Sequence, residues 1–242
     1  MKALVSWSSG KDSAYALWEV RRQEGIEIVG LLTTLTEAYG RVSMHGVREE
    51  ILDRQAASAG LPCRKVRIPA GCVNADYEKA MGDAVEMARR DGVTSVVFGD
   101  LFLEDVRAYR ERMLAATGLT PIFPLWGRDT AALAGQMVAA GLEATVVCVD
   151  PKKLPRSFAG RAFDRAFLSD LPPGVDPCGE NGEFHTCVTG GPMFATPLPV
   201  TAGEIVERDG FVFADLLPDE TAASAATRPG SNGAGSRRPT RR

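Results

Sequence analysis

Strand-length apolar runs at residues 3–6, 26–34, 64–68 and 94–99 alternate with helical periodicities such as those over 47–59 and 77–91. Strands separated by crossovers of that length pair in parallel and carry their helices on the sheet faces. The expected class is therefore α/β, with a Rossmann-like parallel sheet. In an open sheet of this kind ligands sit beyond the carboxyl ends of the strands, near the point where the strand order reverses. The loops at 8–13, 33–45, 68–74 and 99–104 are thus expected to converge, with Thr33 and Gly99 as ligand contacts. A further helix over 129–140 leads to another short strand at 144–149. From 151 to 218 Pro and Gly become frequent and apolar runs shorten, which predicts a smaller α+β lobe over the mouth of the sheet. The implied division is a sheet domain at 1–127, a C-terminal lobe at 128–218 and a tail at 219–242.

The first strand runs straight into Ser8-Ser9-Gly10-Lys11-Asp12-Ser13 and then into the helical pattern of Ala14, Leu17 and Trp18. A strand that ends in a tight turn of small residues and feeds a helix leaves backbone N–H groups unpaired and converging on one spot. The positive end of the helix dipole makes that spot a phosphate site. The loop is not a Walker loop, because Val5 stands five residues before Gly10 and Asp12 follows Lys11. Nor is it a dinucleotide fingerprint, since Gly10 stands alone. Ser9 and Asp12 also read as a capping box worth roughly 0.5–2 kcal/mol, and capping is the simpler account of those two residues. It does not explain Lys11, a cation in the first helical turn, where an anion nearby is needed to offset a cost of about 0.3–1 kcal/mol.

Two more polar clusters stand out. After the fourth strand come Asp100, Glu104 and Asp105, with Arg107, Arg110 and Glu111 on the next helix. An acid at a strand end can hold Mg²⁺ or position a nucleophile, whereas acids in a first helical turn also complement the dipole; Asp100 is read as functional, and Glu104 stays open between the two. The segment 176–186 gathers Glu180, Asn181, Glu183, His185 and Thr186 around two glycines. Such groups are poor core material, and the alternation of Glu183 and His185 with apolar neighbours aims one face of a strand at a site. Asn181-Gly182 alone would be explained as a hairpin turn. His45, one of two histidines, reads first as a cap or a satisfied loop residue.

At 242 residues and 45% hydrophobic content the chain can bury a sizeable core. No run approaches the ~18 apolar residues of a membrane span, and the start resembles no signal peptide, so a cytoplasmic protein is expected. The five cysteines include no Cys-x-x-Cys pair, which argues against structural zinc and disulfides. Net charge is −3; residues 219–242 hold five arginines against Asp219 and Glu220, a balance of +3 that leaves −6 on the rest. An acidic body is no nucleic-acid surface. The tail lacks large apolar side chains and is expected to be disordered and solubilising. Nothing fixes an oligomeric state, and a homodimer is compatible.

Three motifs together resemble one family. Ser8 to Ser13 is similar to the Ser-Gly-Gly-x-Asp-Ser pyrophosphate loop of the ATP pyrophosphatases, with Ser9 in place of the first glycine. With the block from Gly99 to Glu111, followed by Pro124-Leu125-Trp126, and with Cys178 to Thr186, the likeness is to the diphthine ammonia ligase family, over residues 1 to about 217. The resemblance implies a nucleotide α-hydrolase-like fold and ATP-dependent amidation: a carboxylate acceptor, diphthine on elongation factor 2, is adenylated and ammonia displaces AMP. Carried onto this chain it implies that Ser8, Ser9, Gly10, Lys11, Asp12 and Ser13 hold the β and γ phosphates, with Mg²⁺ on Asp12. Catalytic roles fall to Lys11, Asp12, Asp100 and Glu183, the last as proton acceptor from ammonium. Glu104, Arg107, Glu180, Asn181, His185 and Thr186 are implied for the acceptor or ammonia. The chain departs from the family with Gly-Glu-Phe-His-Thr where diphthamide-making members tend to have Glu-Tyr-Glu-Thr. Competing readings are a tRNA thiolase, disfavoured by the missing cysteine pair and basic surface, an ATP or AMP sensor without turnover, and an amide ligase on a small acid.

Overall fold

The computed structural model describes residues 1–219; the expected disordered tail, Asp219 apart, lies outside them. The chain opens with β1 (Lys2–Ser6), α1 (Lys11–Arg21), β2 (Glu27–Thr36), β3 (Arg41–Val42), α2 (Glu49–Ala59) and β4 (Cys63–Ile68). It continues with α3 (Asn74–Arg90), β5 (Ser95–Val97), α4 (Glu104–Ala115), β6 (Thr120–Ile122) and α5 (Thr130–Ala139). Strands β4, β2, β1, β5 and β6 lie side by side and parallel, and β3 pairs antiparallel with the last two residues of β2. The order runs outward from β1 in both directions, so the switch point falls between β1 and β5, where the loops at 8–13 and 99–104 begin. The expected Rossmann-like parallel sheet is the one observed.

β1 is central and buried on both faces, which is why it reads as an unbroken Ala-Leu-Val run. Ala3 and Val5 face a core shared with α1 and α2, while Leu4 faces a second cluster beneath α3 and α4 with Val66, Val85, Phe98 and Leu114. The first core does not stop at this sheet. It runs through Ala14, Leu17 and Val20 of α1 into Val146, Val149, Phe184 and Val188. Those last residues belong to a four-stranded antiparallel sheet made of β7 (Glu143–Val149), β8 (Phe184–Gly190), β9 (Val200–Arg208) and β10 (Phe211–Pro218), in the order β8-β7-β10-β9. The short α-helix of this part, α6 (Arg165–Asp170), is capped by the Asp164 carboxylate, which accepts from Phe167 N–H at 2.8 Å.

α1 is packed between the two sheets, so Lys11, Ser13, Ala14, Tyr15, Ala16, Leu17 and Val20 are all buried and the helix has only a narrow polar side. The strand at 144–149, which follows the first sheet's alternation in sequence, pairs instead in the second sheet as β7. β6, with Pro121 at its middle, is a three-residue edge strand that apolar periodicity does not announce.

Candidate active site

β1 ends at Ser6, and the chain turns through Trp7, Ser8 and Ser9 into Gly10, the N-cap of α1. Ser9 takes a left-handed backbone, φ 69°, the conformation that glycine adopts without strain and other residues do not. Its hydroxyl is buried and has no hydrogen-bond partner among the described residues, and Gly10 as N-cap receives no side-chain cap. The capping-box account of Ser9 and Asp12 therefore does not hold. The loop is braced from within: Ser13 Oγ donates to Gly10 O at 3.0 Å, Gly10 N–H donates to Ser8 Oγ at 3.3 Å, and the two hydroxyls lie 3.2 Å apart.

It is also braced from the second sheet. Lys11 N–H donates to Thr186 Oγ1 at 3.0 Å, and Val188 N–H donates to Ser9 O at 2.9 Å. Gln55, fully buried on α2, ties the arrangement together. Its amide nitrogen donates to Ser9 O and Val188 O, and its oxygen accepts from Trp7 Nε1 at 3.0 Å. Gly99 is required where it stands, because a Cβ there would lie 2.8 Å from the backbone at Asp12 and Ser13.

A cavity of about 500 Å³ opens over this loop. All four expected loops reach it, through Ser8, Lys11, Asp12 and Ser13, through Thr34 and His45, through Ile68, and through Gly99 and Asp100; Glu180, His185 and Thr186 close it from the other sheet. Lys11 is buried with its ammonium on Asp12 at 2.8 Å and on the carbonyl of Cys178, above the faces of Phe184 and Phe163. Burial opposes its charge, but Asp12, Cys178 and Glu180 together outweigh burial and hold Lys11 above the ordinary lysine value. Burial likewise pushes the Asp12 carboxyl up, against the pull of Lys11. Asp100 is raised by burial, with Arg110 opposing from 3.5 Å, an ion-pair distance without a hydrogen bond. Glu180 accepts from Leu101 N–H at 2.7 Å, yet burial carries its carboxyl up to about 7, into the range of a proton carrier at neutral pH.

Several expected residues lie elsewhere. Thr33 faces away from the cavity, where its hydroxyl meets the Cys63 thiol at 3.7 Å, and its neighbour Thr34 lines the cavity instead. Glu104 is exposed on the first turn of α4. Arg107 lies over Phe123 and Trp126 and pairs with Glu111 at 2.8 Å. Asn181 and Glu183 are engaged with each other: Glu183 Oε1 accepts from Asn181 Nδ2 at 3.2 Å and from Asp176 N–H at 3.1 Å, which staples the 176–183 loop rather than facing the cavity. His45, Trp7, Thr34 and Arg110 line the cavity without having been singled out as site residues. His45 carried the one usable signal, its place just after the second strand of the parallel set.

The arrangement offers an anion-binding helix start, a buried cation, carboxylates with raised pKa values and room for a nucleotide. Residues 1–121 match the diphthamide synthase N-terminal domain, and residues 129–214 match the diphthamide synthase C-terminal domain. The chain is 28% identical to the diphthine–ammonia ligase of Danio rerio over 89% of this chain and 92% of that protein. It is 26% identical to that of Homo sapiens, over 89% of each. No helix among the described residues is long and apolar enough to cross a membrane. With both parts of the family present in order along the chain, the protein belongs to the diphthamide synthase family and is a ligase.

Proposed function

We propose that this ligase adenylates a carboxylate with ATP, releasing pyrophosphate, and then transfers ammonia to it, with diphthine on elongation factor 2 as the acceptor. The observation that carries the reading is the convergence of two sheets on one uncapped helix start: Ser8, Lys11, Asp12 and Ser13 from one side, Glu180 and Thr186 from the other, around a single cavity. The triphosphate lies on the loop of residues 8–13, its charge met by backbone N–H groups, the α1 dipole and Lys11. The acceptor carboxylate attacks the α phosphorus, the bond to pyrophosphate breaks, and the loop stabilises the departing charge. A mixed anhydride is needed because a free carboxylate is a poor acyl donor.

Mg²⁺ fits this site, since the Asp12 carboxylate is a hard oxygen donor in the cavity wall, beside a loop shaped for phosphates. When bound there it supplies positive charge to the phosphate oxygens and relieves their repulsion with Asp12. Glu180 takes the proton that ammonium must lose, a role its raised carboxyl suits and its place on the cavity allows. Glu183, which lies outside the cavity lining, acts through the loop it staples. Arg110 keeps Asp100 in place.

The test is mass spectrometry of diphthine-bearing elongation factor 2 after incubation with ATP, Mg²⁺ and ammonium. Conversion of the carboxylate to an amide, lost in Asp12→Ala, is the expected result. ATP turnover to AMP with a small acid, but never with the factor, moves the acceptor to a metabolite; ATP binding without AMP under any mixture rejects the ligase chemistry proposed here.

A further inference from the structure

The chain's two histidines, His45 from the loop after β3 and His185 from β8, meet in the cavity wall with ring centroids 4.6 Å apart and planes inclined by 35°. His45 Nδ1 lies 3.0 Å from Thr186 O. A carbonyl only accepts, so Nδ1 carries the proton and Nε2 is a bare acceptor. The His185 ring makes no hydrogen bond to any described residue. Both side chains are half-buried in the cavity wall, and apart from His45 Nδ1 their ring nitrogens have no protein partner among the described residues. The pair sits directly on the phosphate loop. A Cβ on Gly10 would lie 2.6 Å from His45 Cε1, and the same Thr186 that holds His45 through its carbonyl holds Lys11 N–H through its hydroxyl.

We propose that the His45–His185 pair is the holding site for the nitrogen nucleophile, and that it selects neutral ammonia over ammonium. The inference rests on the ligase reading above. Both rings are kept uncharged by burial, reinforced by Lys11 and, at His185, by His45. An ammonium ion at this wall would be repelled by Lys11 and would find imidazoles in place of a carboxylate. Ammonia donates N–H to the bare imidazole nitrogens and keeps its lone pair for the acyl carbon. As the C–N bond forms, the C–O bond to AMP breaks, and the proton that nitrogen sheds passes to solvent in the cavity. In this arrangement Glu180 strips the incoming ammonium and the histidine pair positions what remains.

Because there are only two histidines, their ¹⁵N imidazole signals in the full-length protein report the site directly. Ammonium chloride added at alkaline pH is expected to move both signals saturably, whereas sodium chloride and tetramethylammonium chloride do not. His185→Phe is expected to abolish the response of His45. Absence of a saturable, ammonia-specific shift overturns the proposal whatever the acceptor proves to be. In turnover with diphthine-bearing elongation factor 2, His185→Phe is expected to raise the KM for ammonium about tenfold, the loss of one or two hydrogen bonds, with a much smaller change in the KM for ATP. An unchanged ammonium KM also overturns it. Imidazole shifts without any amidation of the factor would mean that the acceptor assignment fails while the ammonia site stands.

Discussion

Ser9 holds a left-handed backbone in the tightest part of the loop, a strain that a family glycine at that position would not carry. Ser9→Gly is expected to keep the thermal midpoint or raise it, because relief of roughly 1–2 kcal/mol of backbone strain outweighs the entropy cost of glycine. Ser9→Val, β-branched where φ is positive, should lower stability by about 2 kcal/mol or more and loosen ATP binding with it. A pair of denaturant melts checks both. His45 and Glu180 make opposite demands on pH. His45 is pushed down from 6.5 to about 4 by burial, so the stability it contributes is intact above pH 6.5 and lost as pH falls toward 4. His185 is shifted the same way. Glu180 is pushed up from 4.5 to about 7, so its contribution is present below pH 4.5 and lost as pH rises through 7. At about 1.4 kcal/mol per pH unit, His45 and Glu180 offset one another with roughly 3 kcal/mol each. Glu180→Gln should therefore make the fold lose stability on acidification from pH 7 to 5 more steeply than the parent, and His45→Gln should make it lose less. Equal slopes in all three proteins would contradict these assignments.

β1, its loop and α1 were legible because each obeys a local rule: a run of apolar residues for a strand buried on both faces, small residues for a tight turn, and an apolar helix start behind them. The parallel sheet followed from the spacing of such units. Choosing Thr33 over Thr34 at the end of β2 was a matter of strand parity, since adjacent residues face opposite sides and a one-residue error exchanges cavity for core. Glu180 and Glu183 look alike in sequence; which one reaches the cavity is decided by how the 176–183 loop folds back on itself. The second sheet left a weak trace because β9 is an edge strand exposed along most of its length, with no buried face to impose alternation. Gln55 acts across a long sequence separation, so no local pattern marks it; Thr186 stood out in the 176–186 cluster, but its hold on Lys11 N–H spans a separation that sequence does not show. Their roles predict that Thr186→Val, which leaves Lys11 N–H without its acceptor, costs about 1–2 kcal/mol and weakens ATP binding, as calorimetric titration would show. Gln55→Leu strands Trp7 Nε1 and removes one of the two hydrogen bonds to Ser9 O, and should be the more destabilising of the two.

One buried apolar cluster joins the sheets through α1, and Asp215 of β10 clamps Arg41 of β3 and Arg48 at the start of α2. The division near residue 127 read from composition is therefore proposed as a boundary between sheets that depend on each other, not between units that fold alone. Thermal unfolding is expected to be a single transition, raised as a whole by ATP; two transitions, one insensitive to ATP, would speak for independent units. The same shared core explains how the second sheet can brace a phosphate loop that belongs to the first. The decisive measurement is the identity of the nucleotide product, followed by ³¹P NMR of ATP with Mg²⁺, ammonium and diphthine-bearing elongation factor 2. The account predicts AMP and pyrophosphate from the parent and neither from Asp12→Ala. ADP and phosphate would place the cut at the wrong bond and contradict it.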